Sequence, residues 1–270
     1  LNCVIQVLRY SPEFMDMFVS HQLMPDEPTF PACHALQEFL KNYPSPTGLK
    51  YFLHKLRELY SDFAGGQHDP PEALGCILSM IHNTAYSLVT IQARSDNPVE
   101  LKSIEELRLA SMTIDRDNLA GRPVEGYDSP VLRLFTGQFH AVTACGNTAC
   151  GHLSHRFESF RMWEVPIPAS RTAGTAAALG LCLLKFCALE RPEEEYECDM
   201  CHERTRPRRR ITLWRAPQIL VIQLKRNVYD PRLKRFVKNT RPVRMPFRMN
   251  IRKFMTSDVS GREAEFTYEL

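Results

Sequence analysis

A change in hydrophobic periodicity near residue 125 limits the folds open to this chain more than any other feature of its sequence. Before that point, apolar residues recur at helical spacing, in one stripe from Gly48 to Phe63 and another from Met80 to Ala93. After Gly121, apolar residues alternate with polar or β-branched ones in three runs that Gly and Pro interrupt. The runs are LFTGQFHAVTAC, HRFESFRMWEVPIP and RITLWRAPQILVIQL. Helices followed by strands predict an α+β fold and not alternating βαβ units.

One segment between the second and third runs departs from the strand pattern. Thr175 to Leu189 is rich in Ala and Leu and predicts a helix inserted among the strands. With 270 residues, 44% of them apolar, the chain can bury a sizeable core as one large domain or two small ones. The uncharged Ala- and Leu-rich stretch from Thr172 to Leu184 is shorter than the about 20 residues of a membrane-spanning helix. We therefore expect no membrane partner.

The segment GQHDPPEALGCIL carries three coincident signals for the start of a helix. Asp69 is the predicted N-cap residue, and Pro70 and Pro71 follow it at the first helical positions. Glu72, three residues after Asp69, completes a capping box. Helix capping alone accounts for these residues. The local pattern therefore requires no binding role for Asp69 or Glu72.

Two cysteine pairs are the sharpest metal-binding signal. Cys198 and Cys201 form a Cys-x-x-Cys motif whose tight loop can direct both thiolates at one ion. Four residues separate Cys145 from Cys150, which is still within the spacing of zinc ligand pairs. Four thiolates would complete a structural zinc site. A metal-free degenerate finger is one alternative, and a thioredoxin-like redox pair, which lacks its usual βαβ surroundings here, is another.

Charge is distributed unevenly along the chain. Arg204 to Lys253 contains 17 Lys and Arg against one acid, Asp230, and an acidic run from Glu193 to Asp199 comes just before. A solvated surface explains this asymmetry, and an anionic partner is the alternative. The nine cysteines, an odd number, favour a reducing compartment. We therefore expect the protein to be cytoplasmic, nuclear or both.

Several motifs follow one another in a recognisable order: LNCVIQVL at the start, QHDPPEAL from Gln67, the two cysteine pairs, PQILVIQLKR from Pro217, and YEL at the end. This order resembles the ubiquitin-specific protease family, the papain-like cysteine deubiquitinases. In that family the first pair is usually also Cys-x-x-Cys, whereas here Asn147 stands at the expected position and Cys145 is displaced by two residues.

The resemblance implies a papain-like α+β fold with a thumb, fingers and a palm. Residues 1–125 would form the mainly helical thumb, and 126–215 the β fingers with an inserted palm helix at 175–189. Residues 216–270 would be palm strands, so that 1–270 is a single incomplete catalytic domain.

The resemblance also implies a function and the residues that serve it. The activity would be thiol-dependent hydrolysis of the isopeptide bond at the C-terminus of ubiquitin, with ubiquitin and ubiquitinated proteins as partners. Asp69 and Glu72 would face the extended ubiquitin tail, whose Arg pairs with carboxylates. The zinc ligands would be Cys145, Cys150, Cys198 and Cys201.

The motif register places the nucleophilic cysteine two residues before Leu1 and the catalytic histidine beyond Leu270. The chain alone is therefore expected to be inactive, and Cys3 is the competing nucleophile. Two other functions stay open: a catalytically inactive ubiquitin-binding scaffold, and a zinc-stabilised basic module that binds nucleic acid through Arg204 to Arg210. The second is the less favoured, and nucleic acid is not an expected partner.

Overall fold

The computed structural model describes residues 2–21, 29–64, 69–95, 130–169, 175–231, 233–256 and 266–269. The chain divides into two compact units. The first comprises Leu1–Ser111 and Glu125–Leu134, and the second comprises Met112–Val124 and Phe135–Leu270. None of the helices within the described ranges combines the length and apolar character needed to cross a membrane.

Helices build the described part of the first unit. They are α1 (Asn2–Arg9), α2 (Pro12–Met15) with a π-helical turn (Asp16–His21), α3 (Pro31–Lys41), α4 (Pro46–Leu59) with a 3-10 turn (Ser61–Ala64), α5 (Pro70–Ser95) and α6 (Pro130–Phe135), whose last residue belongs to the second unit. Proline begins every helix from α2 to α6. Its missing N–H costs nothing at the first helical position, where no carbonyl is available to accept it.

Two helix boundaries show how local chemistry sets these elements. Helix α5 begins directly after Asp69, which confirms the predicted start. Helix α4 ends at Leu59 and not near Phe63 as the apolar stripe predicts, because Tyr60 adopts extended backbone angles. Leu59, the last residue of α4, is exposed. At the other end of α4, the hydroxyl of Ser45 accepts a hydrogen bond of 3.1 Å from the amide of Gly48.

The apolar faces of these helices form the core of the first unit. Its largest fully buried side chains are Ile5, Phe14, Phe18, Leu36, Leu40, Phe52, Leu56, Ile77 and Leu78. Gln37 is a buried polar residue among them, and its Nε2 donates to the carbonyl of Phe18 at 2.6 Å. The hydrogen bond compensates the cost of burying the amide.

The described part of the second unit is mainly β. Its strands are β1 (Gly137–Ala144), β2 (Leu153–Phe160), β3 (Trp163–Pro166), β4 (Ala177–Ala178), β5 (Tyr196–Glu197), β6 (Arg204–Thr205), β7 (Arg208–Arg215), β8 (Ile222–Lys225), β9 (Asn227–Asp230), β10 (Arg235–Lys238), β11 (Val243–Arg244), β12 (Arg248–Asn250) and β13 (Thr267–Glu269). One helix, α7 (Leu179–Phe186), lies between β4 and β5.

The strands pair in small groups and not in one large sheet. A three-stranded antiparallel sheet has the order β2-β1-β7. Two pairs, β3–β8 and β4–β11, are parallel. Three more, β5–β6, β9–β10 and β12–β13, are antiparallel.

The inserted helix and the first strand are shorter than predicted. Helix α7 covers only Leu179–Phe186 of the expected 175–189, because Ala177–Ala178 pair with Val243–Arg244 as strands. The first strand begins at Gly137 because α6 includes the preceding Leu134 and Phe135.

Helix α7 packs on the strands through Leu179, Cys182 and Leu183, all buried. Trp163 at the start of β3 is fully buried in the same cluster, edge-on to the rings of Phe139 and Phe186. The alternation of β1 and β7 places Phe139 and Leu213 opposite each other in this core. The pattern of apolar residues in the three predicted runs therefore marks the core face of the second unit.

Candidate functional site

The four cysteines of the two pairs meet in the second unit. The Sγ atoms of Cys145, Cys150, Cys198 and Cys201 all lie within 4.8 Å of one another. The Sγ atoms of Cys145 and Cys201 are 3.8 Å apart, and those of Cys150 and Cys198 are also 3.8 Å apart. Zinc binds sulfur at about 2.3 Å, so the edge of a tetrahedral site is about 3.8 Å. The sulfur positions therefore fit a tetrahedral metal ion.

Two hairpin connections present these thiols. Cys145 follows β1 and Cys150 precedes β2, while Cys198 follows β5 and Cys201 precedes β6. Each pair of strands is antiparallel, so both cysteines of a pair lie at the same end of their hairpin. Cys145 and Cys198 are buried.

Each second cysteine is followed by a residue in the left-handed region: Gly151 has φ of 65° and His202 has φ of 58°. This turn directs the next backbone amide back to the sulfur, that of His152 to Cys150 and that of Glu203 to Cys201. Glycine adopts this conformation freely, whereas histidine is strained by it. The same device in both loops is consistent with preorganised sulfur ligands.

The thiols of Cys198 and Cys201 have shifted pKa values of opposite sign, because backbone amides dominate at Cys198 whereas burial and neighbouring thiols dominate at Cys201. The amides of Cys201 and Met200 donate to Cys198 and lower the pKa of its thiol to about 6. For Cys201, the amide of Glu203 lowers the pKa, but desolvation and the three neighbouring thiols outweigh it and raise the pKa to about 12. Four thiolates so close together repel one another, and a divalent cation would offset that repulsion.

Gly146 explains how the longer spacing of the first pair still closes the site. A Cβ added at Gly146 would overlap the carbonyl oxygen of Arg206, so only glycine lets the loop pass this close. The amide of Gly146 donates to the hydroxyl of Thr205 at 3.1 Å, and that hydroxyl lies 3.6 Å from the sulfur of Cys145. Asn147 accepts from the amide of Ala149 and donates to Glu203, both at 2.9 Å.

Sequence reasoning identified the four thiols but missed the residues that hold them. Gly151 directly after Cys150 is a signal that could have been used, since glycine favours the left-handed turn that follows a ligand cysteine. Thr205 carried no such signal, because its contact with Gly146 joins residues far apart in sequence.

The predicted tail-binding residues lie in the first unit. Asp69 and Glu72 are exposed and stand before and within the first turn of α5. A helix N-terminus also presents free amides. Both carboxylates are accessible to a cationic ligand.

Cys3 is exposed on α1, and no histidine among the described residues hydrogen bonds to it. One histidine pair lies in the β2-β1-β7 sheet, where Nε2 of His140 is 2.9 Å from Nδ1 of His155. The ring of His140 also stacks on Phe157. Cys3 therefore has no histidine base among the described residues.

Solved structures share this combination of a helical unit and a strand-rich unit. The SAGA Ubp8/Sgf11/Sus1/Sgf73 DUB module bound to ubiquitin aldehyde matches with a TM-score of 0.68 at 18% identity, over 96% of this chain and 51% of that chain. A SAGA DUB module bound to monoubiquitin matches with a TM-score of 0.69 at 20% identity, over 95% of this chain and 52% of that chain. These likenesses establish the class: the fold is α+β and papain-like.

The family follows from the sequence. The model of the ubiquitin carboxyl-terminal hydrolase family matches residues 1–270, and the chain belongs to that family. Ubiquitin carboxyl-terminal hydrolase 21 of Homo sapiens is 38% identical over 115 residues, which are 42% of this chain and 20% of that protein. Ubiquitin carboxyl-terminal hydrolase 2 of Homo sapiens is 25% identical over 281 residues, covering 96% of this chain and 43% of that protein. The chain thus spans less than half the length of either relative.

Proposed function

We propose that this chain is the main part of the catalytic domain of a cysteine-type deubiquitinase, which hydrolyses the isopeptide bond at the C-terminus of ubiquitin. The match of the ubiquitin carboxyl-terminal hydrolase family to residues 1–270 carries this proposal. The four-cysteine cluster between two hairpins supports it, because the cluster lies where the motif order expects the fingers.

In this proposal the chain binds ubiquitin and residues flanking it perform the chemistry. A thiolate two residues before Leu1 attacks the carbonyl, and an imidazole beyond Leu270 transfers the proton. Asp69 and Glu72 hold the cationic ubiquitin tail from the start of α5. Binding energy from the rest of ubiquitin then drives reaction at a small, featureless bond.

Two tests address the catalytic assignment. Sequencing the transcript on both sides should reveal a cysteine two residues before Leu1 and a Gly-His-Tyr motif downstream of Leu270. Residues 1–270 alone should not turn over a fluorogenic substrate that carries ubiquitin on its reporter. Turnover that disappears in Cys3→Ser would overturn the motif register and make Cys3 the nucleophile.

We also propose that Cys145, Cys150, Cys198 and Cys201 bind one structural zinc ion. The 3.8 Å sulfur separations and the amides directed at three of the sulfurs support zinc over a metal-free finger. The ion would join the two hairpins and stabilise the second unit. Structural zinc in finger peptides contributes about 10–16 kcal/mol of apparent binding free energy, so its loss is a large effect.

The zinc proposal is tested by metal analysis of the purified chain. Cys198→Ser should lower bound zinc from about one ion per chain to near zero and reduce the unfolding temperature, because three ligands leave the tetrahedron open. Cys3→Ser, which changes an exposed cysteine in the other unit, should leave both unchanged. A wild-type chain without zinc, together with unchanged stability of Cys198→Ser, would support the metal-free finger.

The inactive scaffold is the second candidate, favoured if the natural flanks lack the cysteine and the histidine. It predicts ubiquitin binding by the natural protein without cleavage. Against the nucleic-acid alternative, Arg209 of the arginine-rich run pairs with Glu158 at 3.5 Å, which leaves this one arginine less available to a phosphate. For the compartment, we propose a reducing one, cytoplasmic or nuclear, since the described cysteines are all free thiols.

A further inference from the structure

Strand β2 forms an open edge of the three-stranded sheet. It pairs with β1 along its whole length, from Leu153 to Phe160, and no register shift interrupts that pairing. None of the other strands that the structure describes adds to its outer side. The strand contains no Lys and no Pro, although edge strands of this length are commonly protected by such residues or by a bulge. β2 can therefore accept a further strand.

The opposite edge of the same sheet is covered by other parts of the chain. On β7, Arg209 exchanges two backbone hydrogen bonds with Glu190, at 2.8 and 2.9 Å. Further along β7, the carbonyl of Leu213 accepts a hydrogen bond of 2.8 Å from the amide of Thr256. Among the described residues, no backbone group bonds in this way to the outer side of β2. The sheet thus has one covered edge and one open edge.

The alternation of hydrogen bonds between β1 and β2 shows which backbone groups of β2 point outward. The amide of Cys145 donates to the carbonyl of His152 at 3.0 Å, directly beyond the end of the paired strands. In an antiparallel pair, residues that bond to the partner strand alternate with residues whose backbone groups point away from it. Counting from His152, the backbone groups of His155, Phe157 and Ser159 point away from β1. These amides and carbonyls are available to a strand from outside.

The charges of β2 are self-complementary about Phe157. If two copies of β2 pair antiparallel with Phe157 opposite its own copy, Arg156 of each copy stands opposite Glu158 of the other. Sliding one copy by two residues brings either two arginines or two glutamates opposite each other. Like charges directly opposite each other destabilise a sheet. Charge therefore selects a single register for the pairing of β2 with itself.

Both charged side chains are accessible for this pairing. Arg156 is exposed and forms no ion pair with a carboxylate of the described residues. Glu158 is 43% exposed, although it lies 3.5 Å from Arg209. Between them, the half-buried ring of Phe157 stacks on His140, which fixes it beside the open edge. The centre of the edge thus offers an apolar contact flanked by opposite charges.

We propose that a second copy of this chain pairs with β2 and forms a dimer with two-fold symmetry. The two sheets join into one of six strands, in the order β7-β1-β2-β2-β1-β7. Backbone hydrogen bonds between the two β2 strands hold the dimer together, and the two Arg156–Glu158 pairs set its register. Assembly stops at two copies, because the interface is isologous and the β7 edges are covered. The proposal is independent of ubiquitin binding and of catalytic activity.

Sedimentation velocity of the chain without ubiquitin tests for the dimer. Over a concentration series up to about 100 μM, the wild type should pass reversibly from the mass of one chain to that of two. Arg156→Glu and Glu158→Arg should each weaken dimerisation by about tenfold or more, because each places two pairs of like charges across the interface. Thermal unfolding of each variant shows whether its fold is intact.

An equimolar mixture of these two variants gives the most specific comparison. A copy of Arg156→Glu is acidic at both positions, and a copy of Glu158→Arg is basic at both. Every opposed pair in the mixed dimer is therefore attractive again. The mixture should dimerise with an affinity close to that of wild type, at concentrations where each variant alone is monomeric.

Ser159→Pro tests the backbone pairing separately from the charges. Proline removes an amide that points away from β1, so the variant loses a hydrogen bond to the second copy and none to β1. It should weaken dimerisation while the folded chain keeps its sheet. Arg208→Glu is the matched control, since it reverses an exposed charge on β7 of the same sheet. Its dimerisation should stay within about twofold of wild type.

Three results would overturn the proposal. The first is a wild type that stays monomeric at about 100 μM, which would leave an extended peptide of another protein as the occupant of the edge. The second is dimerisation that is unchanged in folded Arg156→Glu and Ser159→Pro. The third is assembly beyond two copies, because a closed two-fold interface does not permit it.

Discussion

Replacing Gly146 by Ala should destabilise the second unit and disturb the cysteine site at its first loop. The new Cβ would overlap the Arg206 carbonyl oxygen and stand 2.9 Å from the Cβ of Thr205. Because one of these neighbours is backbone, the overlap cannot be relieved by rotating a side chain. The loop must move, and the hydrogen bond from Gly146 to Thr205 would be lengthened or lost.

The magnitude follows from these two effects. A lost hydrogen bond costs about 1 kcal/mol, and overpacking of a close contact costs about 1–3 kcal/mol. We therefore expect the free energy of unfolding to fall by about 2–4 kcal/mol. Bound metal should also decrease, since Cys145 precedes the displaced residue.

Gly180→Ala is the matched control in the same unit. Its added Cβ would meet only the flexible Nζ of Lys253, at 3.5 Å, and it lies inside α7. Alanine is favoured over glycine in a helix by up to about 1 kcal/mol, so this variant should be as stable as wild type or more so. The two glycine substitutions are thus expected to have opposite effects.

Urea unfolding followed by tryptophan fluorescence measures both variants. The chain has two tryptophans, Trp163 and Trp214, and both lie in the second unit, so the signal reports that unit. If Gly146→Ala unfolds at the same urea concentration as wild type, the loop does not pass as close to the Arg206 carbonyl as described here.

Three further changes test the core packing, the hydrogen bonds of Arg241 and the accessibility of the thiols. Leu213→Ala should lower the free energy of unfolding in urea by about 2–5 kcal/mol because the Leu213 side chain is fully buried. Leu181→Ala, at an exposed site, should lower it by less than about 0.5 kcal/mol. Similar losses in the two variants would contradict the core assignment. Arg241→Ala should lower the free energy of unfolding by roughly 1.5–3 kcal/mol in the same assay, because two carbonyls lose their charged donor. An unchanged urea midpoint would show that these hydrogen bonds do not stabilise the fold. Burial raises the pKa of Cys33 to about 12, so its thiol stays protonated at about pH 8. After treatment of the folded chain with iodoacetamide, mass spectrometry should therefore find the label on the exposed Cys3 but not on Cys33. Equal labelling of both would show that Cys33 is accessible.

The sequence predicted the elements whose signals are local. The start of α5 was predictable because a capping residue, two prolines and a glutamate coincide within Asp69 to Glu72. The strand runs were predictable from the alternation of apolar and polar residues, which places Phe139 of β1 and Leu213 of β7 in the same core.

Tertiary contacts decided the features that the sequence did not predict. Thr175 to Leu189 has helical composition throughout, yet Ala177 and Ala178 form a strand because β11 supplies a partner. Similarly, the spacing of Cys145 and Cys150 departs from the family pattern, and its closure depends on the passage of Gly146 past Arg206. Strand β11 is far in sequence from Ala177, and Arg206 is far from Gly146. Periodicity and motif spacing therefore carry no information about either contact.

Titration of the chain with ubiquitin by isothermal calorimetry tests the proposed function most directly. The account predicts saturable binding that Asp69→Lys and Glu72→Lys each weaken by about tenfold or more, because each replaces an attractive carboxylate by a repelling cation. Lys55→Glu, an exchange on α4 in the same unit, should leave the affinity within about twofold. Absence of ubiquitin binding by a folded, metal-loaded chain would contradict the account, and unchanged affinity in both carboxylate variants would contradict the tail-binding role of α5.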